Sequence, residues 1–412
     1  MGENVVEEKK KAIELQFPLL LIRTIRGLKT LDRMGGWIGT KWLGWLVLLI
    51  MPIIAILGLY IITNSVSVLF SNALARSYVR SFTPLANLLI PGLNPYLPIA
   101  YGWIALVVGL VAHEAAHGVL ARNLKFQVKS AGLLLLTIIP IGAFVEVDDK
   151  ALRKAKARDS GRVFAAGPGS NVVVALVSLT ALLLVLGSIS PIVDGFGVTS
   201  ITKDYPGDNV GLDPGDIIFK INGINISNWD DATFALNNVR PNDTVNMKVG
   251  KISNKGILSI EEFDIIAVGS PSNESKGYIG FSGVGLKDSL EGYRNFGRTS
   301  PFIYLIWPTF SGANQQVIPF SDSMFRFYTS PIGSDFNILA NLFFWIWFVN
   351  FNLAIFNALP IYPLDGGQAL RAFLQSTIGR KIGDKSVSRL TMGVTFIVLM
   401  LIGSMLIFPY LI

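Results

Sequence analysis

The chain has 412 residues, 51% of them hydrophobic and only 15% charged, with a net charge of +7 and a mean hydropathy of +0.51. Soluble domains carry about 25% charged residues, so this chain is neither an ordinary soluble domain nor a disordered one. It has no cysteine, which excludes a disulfide scaffold, a thiolate metal site and a cysteine nucleophile, and its only two histidines are His113 and His117.

Residues 1–41 are basic and read as a cytoplasmic, interfacial segment, with a helix over 9–41 lying on an anionic leaflet. An apolar stretch of about 20 residues spans the hydrocarbon core of a bilayer. The first such stretch, 42–62, lies too far into the chain and is too long for a signal peptide. The second, 101–121, holds both histidines in VAHEAAHGVL. Residues 130–146 are apolar but too short and too rich in Gly and Pro for a clean span. They read as a re-entrant hairpin buried in protein, because irregular backbone is not tolerated against lipid. A third span follows at 163–187. Residues 196–284 then turn polar, with short alternating strands and turn signals at Pro206-Gly207, Pro214-Gly215 and Asn222-Gly223. Residues 285–335 form a linker whose apolar pieces at 301–307 and 317–320 suit either the outer membrane surface or packing on the insert. Residues 336–359 and 391–411 supply the fourth and fifth spans. The predicted fold is therefore an α-helical polytopic membrane protein with an inserted α/β domain. Its segments are 1–41, a first core part 42–195, the insert 196–284, the linker 285–335 and a second core part 336–412.

Charge sets the orientation. Flanks 1–42, 122–162 and 371–390 hold 22 Lys/Arg against 10 Asp/Glu, whereas 64–100 and 188–335 hold 13 against 16. The positive-inside rule places the three basic flanks in the cytoplasm, and the insert and C-terminus outside. No basic face carries interleaved aromatics, so a nucleic-acid partner is not expected. Two charges remain at membrane depth, Glu114 and Asp365. Ionisable groups there are costly and read as functional.

His113-Glu114-Ala115-Ala116-His117 is an H-E-x-x-H sequence. Two histidines four apart share a helix face and can hold one metal ion, with the intervening Glu114 as general base. Zinc suits two imidazoles and a carboxylate. The third ligand is expected from Asp365, in FNALPIYPLDGGQALRAF at the cytoplasmic end of the fourth span. Pro360 and Pro363 stop that helix. Asp365 also suits an N-cap for a helix starting near Gly366, but the unfinished metal site favours the ligand role.

These residues resemble the site-2 protease family of intramembrane zinc metalloproteases. HEAAH at 113–117, GPGSN at 167–171 and NALPIYPLDGG at 357–367 match its motifs in order. The resemblance implies one zinc ion on His113, His117 and Asp365, and cleavage of transmembrane substrates already cut outside by another protease. It also implies substrate contacts from Gly142 and Phe144 of the hairpin, from Pro360 and Pro363, and from Asn171 and Asn357, which suit a hydrogen bond to the substrate backbone or the developing oxyanion or, alternatively, one between helices. GLDPGDIIFKING at 211–223 resembles a PDZ domain, which implies peptide capture or a size filter. The competing readings are a zinc-binding membrane transporter or sensor, and an inactive scaffold that presents the PDZ domain.

Overall fold

The computed structural model describes residues 13–24, 28–81, 89–95, 97–136, 139–252, 258–294 and 325–411. The apolar pieces 301–307 and 317–320, the hairpin tip at 137–138 and residues 1–12 lie outside the described residues. Two compact units are present: Met1–Ser178 with Trp345–Ile412, and Leu179–Phe344.

The first unit is built on long apolar helices. After a short helix α1 (Leu28–Gly35) come α2 (Ile38–Ser71), α3 (Ala73–Arg80), α4 (Ile99–Asn123), α5 (Asp149–Lys154) and α6 (Ala157–Ser188). Further along the chain, beyond the insert's α7 (Pro206–Asn209), α8 (Trp229–Leu236) and α9 (Leu286–Arg294), lie α10 (Phe336–Ala358), α11 (Asp365–Thr377), α12 (Gly379–Ile382) and α13 (Asp384–Leu411). Five of these, α2, α4, α6, α10 and α13, are long and apolar enough to cross a membrane, so the protein is a multi-pass membrane protein. A helix that is apolar all round needs lipid or protein on every side. Among the five, α10 is the most buried within the protein and α13 the least. Four helices cover their predicted spans and run further, whereas α10 ends at Ala358, one residue short of the predicted 336–359. Helix α2 begins four residues earlier than expected and ends nine later, because Lys41 and the polar residues after Thr63 do not interrupt helical hydrogen bonding.

A four-stranded antiparallel sheet lies among these helices in the order β1-β2-β3-β4, with β1 (Ile13–Gln16), β2 (Leu19–Thr24), β3 (Val128–Leu136) and β4 (Ile139–Val147). Strands β3 and β4 are the hairpin expected over 130–146, and α4 packs against β4. The expected N-terminal helix over 9–41 is corrected. Ile13–Gln16 and Leu19–Thr24 form β1 and β2, and the described helix is Leu28–Gly35. Phe17-Pro18 interrupts helical geometry, and Leu19–Thr24 pairs with Ala131–Leu136, which satisfies its backbone groups.

The second unit is a β/α insert. Its path of strands is β10-β9-β7-β6-β13, where β6 is Phe196–Ile201, β7 Ile217–Ile221, β9 Thr244–Ile252, β10 Leu258–Ile266 and β13 Phe281–Gly285. Val245, Met247 and Val249 alternate inward along β9 and pack with Phe196, Ile218, Ile221 and Ile265. Helix α8 (Trp229–Leu236) buries Ala232 and Ala235 on the same core. It begins at a reciprocal cap. Asn228 Oδ1 accepts the Asp231 N–H at 2.8 Å, and Asp231 Oδ2 accepts the Ser227 N–H at 3.0 Å.

Candidate metal centre

Helix α4 carries His113 and His117 one turn apart, with ring centroids 4.8 Å from each other. Each ring is held from behind. The His117 Nδ1–H donates to the Val163 carbonyl of α6 at 2.7 Å. Nδ1 of His113 faces the side-chain amide of Asn171, also on α6, at 3.3 Å. Both Nε2 atoms point to a single carboxylate oxygen: Asp365 Oδ2 lies 3.0 Å from that of His113 and 3.2 Å from that of His117. Helix α11 begins at Asp365, with Leu364 at the cap position, so Asp365 is not the N-cap that its sequence context also allowed. Gly366 and Gly367 explain how the acid gets there. A Cβ on Gly366 would lie 2.1 Å from the Ala358 carbonyl oxygen, and one on Gly367 would lie 2.4 Å from the Ile361–Tyr362 peptide. Only glycine lets the start of α11 fold back against the end of α10.

His113, His117 and Asp365 form the group able to hold a metal ion among the described residues. The donor chemistry fits a cation. Because His117 donates through Nδ1, its neutral ring presents a lone pair at Nε2. That lone pair faces Asp365 Oδ2, which is enclosed and has no hydrogen-bond donor. Two acceptors held 3.2 Å apart repel unless a metal ion, or a proton on Nε2, lies between them. Bonds of about 2.0–2.1 Å in tetrahedral geometry place ligand atoms about 3.3 Å apart, close to the separations seen here. Space fits as well. A Cβ on Gly167 would lie 2.4 Å from His113 Nε2 and 2.5 Å from His117 Nε2, so the missing side chain leaves the hollow the cation needs.

A model of peptidase family M50 matches residues 101–402. The chain belongs to peptidase family M50. With the His-His-Asp cluster, membership makes it a zinc metalloendopeptidase. A Methanocaldococcus jannaschii protein named only as uncharacterized is 27% identical over 366 residues, covering 88% of this chain and 79% of its own length. A Clostridium acetobutylicum protein, whose name provisionally calls it a zinc metalloprotease, is 24% identical over 74% of this chain and 96% of its own length. A similarly named Staphylococcus aureus protein is 25% identical over 58% of this chain and 56% of its own length.

The remaining candidates of this M50 member divide. Glu114 follows His113 on α4, and its Oε2 accepts the Val145 N–H of β4 at 2.8 Å. Asn171 is fully buried beside His113. Asn357 stays outside the cluster's hydrogen bonds and donates to the Leu353 carbonyl of its own helix at 3.1 Å. Gly142 and Phe144 lie on β4, opposite Leu134 and Gly132. Pro360 lines an apolar cavity of about 560 Å³ between α2, α6 and α11. Pro363 accepts the side-chain N–H of Gln368 at 3.0 Å. Sequence reasoning missed three contributors: Gly167, the Val163 carbonyl and the Val145 amide. Gly167 stood in the quoted GPGSN motif. The other two are backbone groups and leave no signature in residue type.

Proposed function

We propose that this protein is an intramembrane zinc protease that hydrolyses peptide bonds within or near the transmembrane helices of other membrane proteins. The observation that carries this reading is Asp365 meeting His113 and His117 inside a bundle of membrane-length helices. His113, His117 and Asp365 would hold one zinc ion, which when bound supplies Lewis acidity to the scissile carbonyl and acidifies a water.

The chain's own groups do the rest. Glu114 takes the proton of the attacking water and passes it to the leaving amine nitrogen. The Val145 N–H fixes one oxygen of that carboxylate. Strand β4 is at the edge of its sheet, with β3 as its one partner among the described residues. A substrate segment unwound from its helix can pair along that edge near Ala143 and Val145, beside Glu114. Unwinding is required because the carbonyls of a membrane helix are already hydrogen-bonded within it. Gly142, Phe144, Asn357, Pro360 and Pro363 are the proposed substrate contacts.

In this reading β3–β4 is a re-entrant hairpin and residues 196–284 are a PDZ-like domain. Strand β13 is an edge strand of that domain's sheet and suits capture of an extended peptide from a substrate already trimmed outside. The N-terminus and the metal end face the cytoplasm, as the basic flanks favour, and the PDZ-like domain and C-terminus face outward. The lipid bilayer is a standing partner.

Glu114→Gln tests the assignment. The variant, purified in detergent, should bind zinc as the wild type does and fail to cut a membrane-spanning substrate. Cleavage at the wild-type rate would remove Glu114 as the base. Zinc binding with no cleavage by the wild type itself would favour a transporter or sensor.

A further inference from the structure

Asn171 follows Gly167 by one turn on α6, and none of its surface reaches solvent. Its side-chain amide lies 3.3 Å from His113 Nδ1. With the NH₂ turned to the ring, Oδ1 is buried without a donor. That orientation conflicts with the cluster's chemistry. A neutral imidazole has one N–H and one lone pair. If the amide NH₂ donates to Nδ1, the ring proton must sit on Nε2, and His113 would turn an N–H, not a lone pair, toward the cation position beside Asp365. The oxygen and nitrogen of an amide have nearly the same shape, so the hydrogen-bond partners decide which faces the ring. No donor on the oxygen side holds this amide the other way.

His117 shows the arrangement the site requires. Its Nδ1–H donates to an oxygen of α6, the Val163 carbonyl, and leaves Nε2 free to bind. Asn171 presents an amide from the same helix to the equivalent atom of His113. We propose that Asn171 is a positioning residue of the metal centre: its Oδ1 accepts the His113 Nδ1–H, and so fixes the tautomer and ring orientation in which Nε2 binds zinc. This assigns Asn171 to the metal, not to the substrate, and places both outer-shell acceptors of the histidine pair on α6. Partners of this kind hold ligand rings in place, and losing one weakens metal affinity by about 10- to 100-fold. The proposal rests on the zinc-protease reading given above.

The test uses the full chain in detergent and measures zinc affinity by competition with a chelator. The absorption spectrum of the cobalt-substituted protein serves as a second readout. Asn171→Leu keeps similar volume and offers no acceptor; it should bind zinc about 10- to 100-fold more weakly and alter the cobalt spectrum. Asn171→Asp keeps the acceptor and should bind at least as tightly as the wild type. Wild-type affinity and spectrum in Asn171→Leu would overturn the proposal. So would a loss in Asn171→Asp as large as in Asn171→Leu, because that would show the amide N–H to be the needed group. If Asn171→Leu fails to fold, Asn171→Asp decides alone: wild-type or tighter binding supports the proposal, and weaker binding overturns it. A wild-type chain that binds no zinc would sink the metal-centre reading itself, an outcome distinct from these.

Discussion

Gly167→Ala adds one methyl group at the point where the two imidazoles converge. The added Cβ would stand 2.4 Å from His113 Nε2 and 2.5 Å from His117 Nε2. Non-bonded heavy atoms settle near about 3.5 Å, so the rings or α6 must retreat by roughly 1 Å. Metal–ligand distances tolerate only about 0.2 Å, so the methyl and the cation cannot share the hollow. The helix itself should not suffer, since Ala is favoured over Gly in a helix interior by about 1 kcal/mol. Elemental analysis of the purified variant should show zinc falling from about one ion per chain toward none, with helical circular dichroism unchanged and cleavage abolished. One zinc per chain together with wild-type cleavage would show that the space left by Gly167 has nothing to do with metal.

Asp365→Asn exchanges a charged ligand for a neutral one and should lower zinc content; unchanged stoichiometry would move the third ligand elsewhere. Val145→Pro deletes the N–H that Glu114 accepts, and an outward-facing edge position tolerates proline. A hydrogen bond to a charged group contributes about 1.5–3 kcal/mol, so kcat/KM should fall by about 10- to 100-fold with zinc content unchanged. A fall in zinc content instead would show that β4 supports the ligands and not the base. In the insert, burial pushes the Asp216 carboxyl above its ordinary value, while the Asp213 N–H and the Lys251 ammonium pull it back. Its contribution to stability is therefore fully present below the ordinary carboxylate value, near 3.8, and declines as pH rises through the raised one. Asp216→Asn mimics the protonated form. Its stability relative to the wild type, read by hydrogen exchange of the insert's core strands, should improve as pH rises from about 4 to 7. A gap that stays constant over that range would contradict the sign.

The histidine pair was legible because scarcity and spacing coincide: two histidines in the chain, four residues apart, with Glu114 between. Asp365 was legible through charge accounting, since an acid at membrane depth needs a partner. The five spans were legible from composition, but their ends were not. Charged residues such as Lys41 and Arg158 lie inside helices that continue past the hydrocarbon-length segment. Strands β1 and β2 were not legible, because β2 pairs with β3, more than a hundred residues along the chain, and β1 pairs in turn on β2. In the N-terminal segment, helix occupies the eight residues Leu28–Gly35 and the first four of α2, Ile38 to Lys41. The part of Asn171 was hidden for a similar reason. Its motif marks a position on α6, and only the packing of α6 on α4 sets its amide against His113 and opens the hollow at Gly167.

The proposed activity is zinc-dependent hydrolysis inside the bilayer. The most direct measurement places the purified protein and a single-span substrate in lipid nanodiscs and locates the cut by mass spectrometry, with and without chelator. The expected result is cleavage within or at the edge of the hydrophobic segment, lost with chelator and restored by added zinc. Cleavage that persists in chelator, or that falls only in the substrate's water-exposed part, would contradict the account.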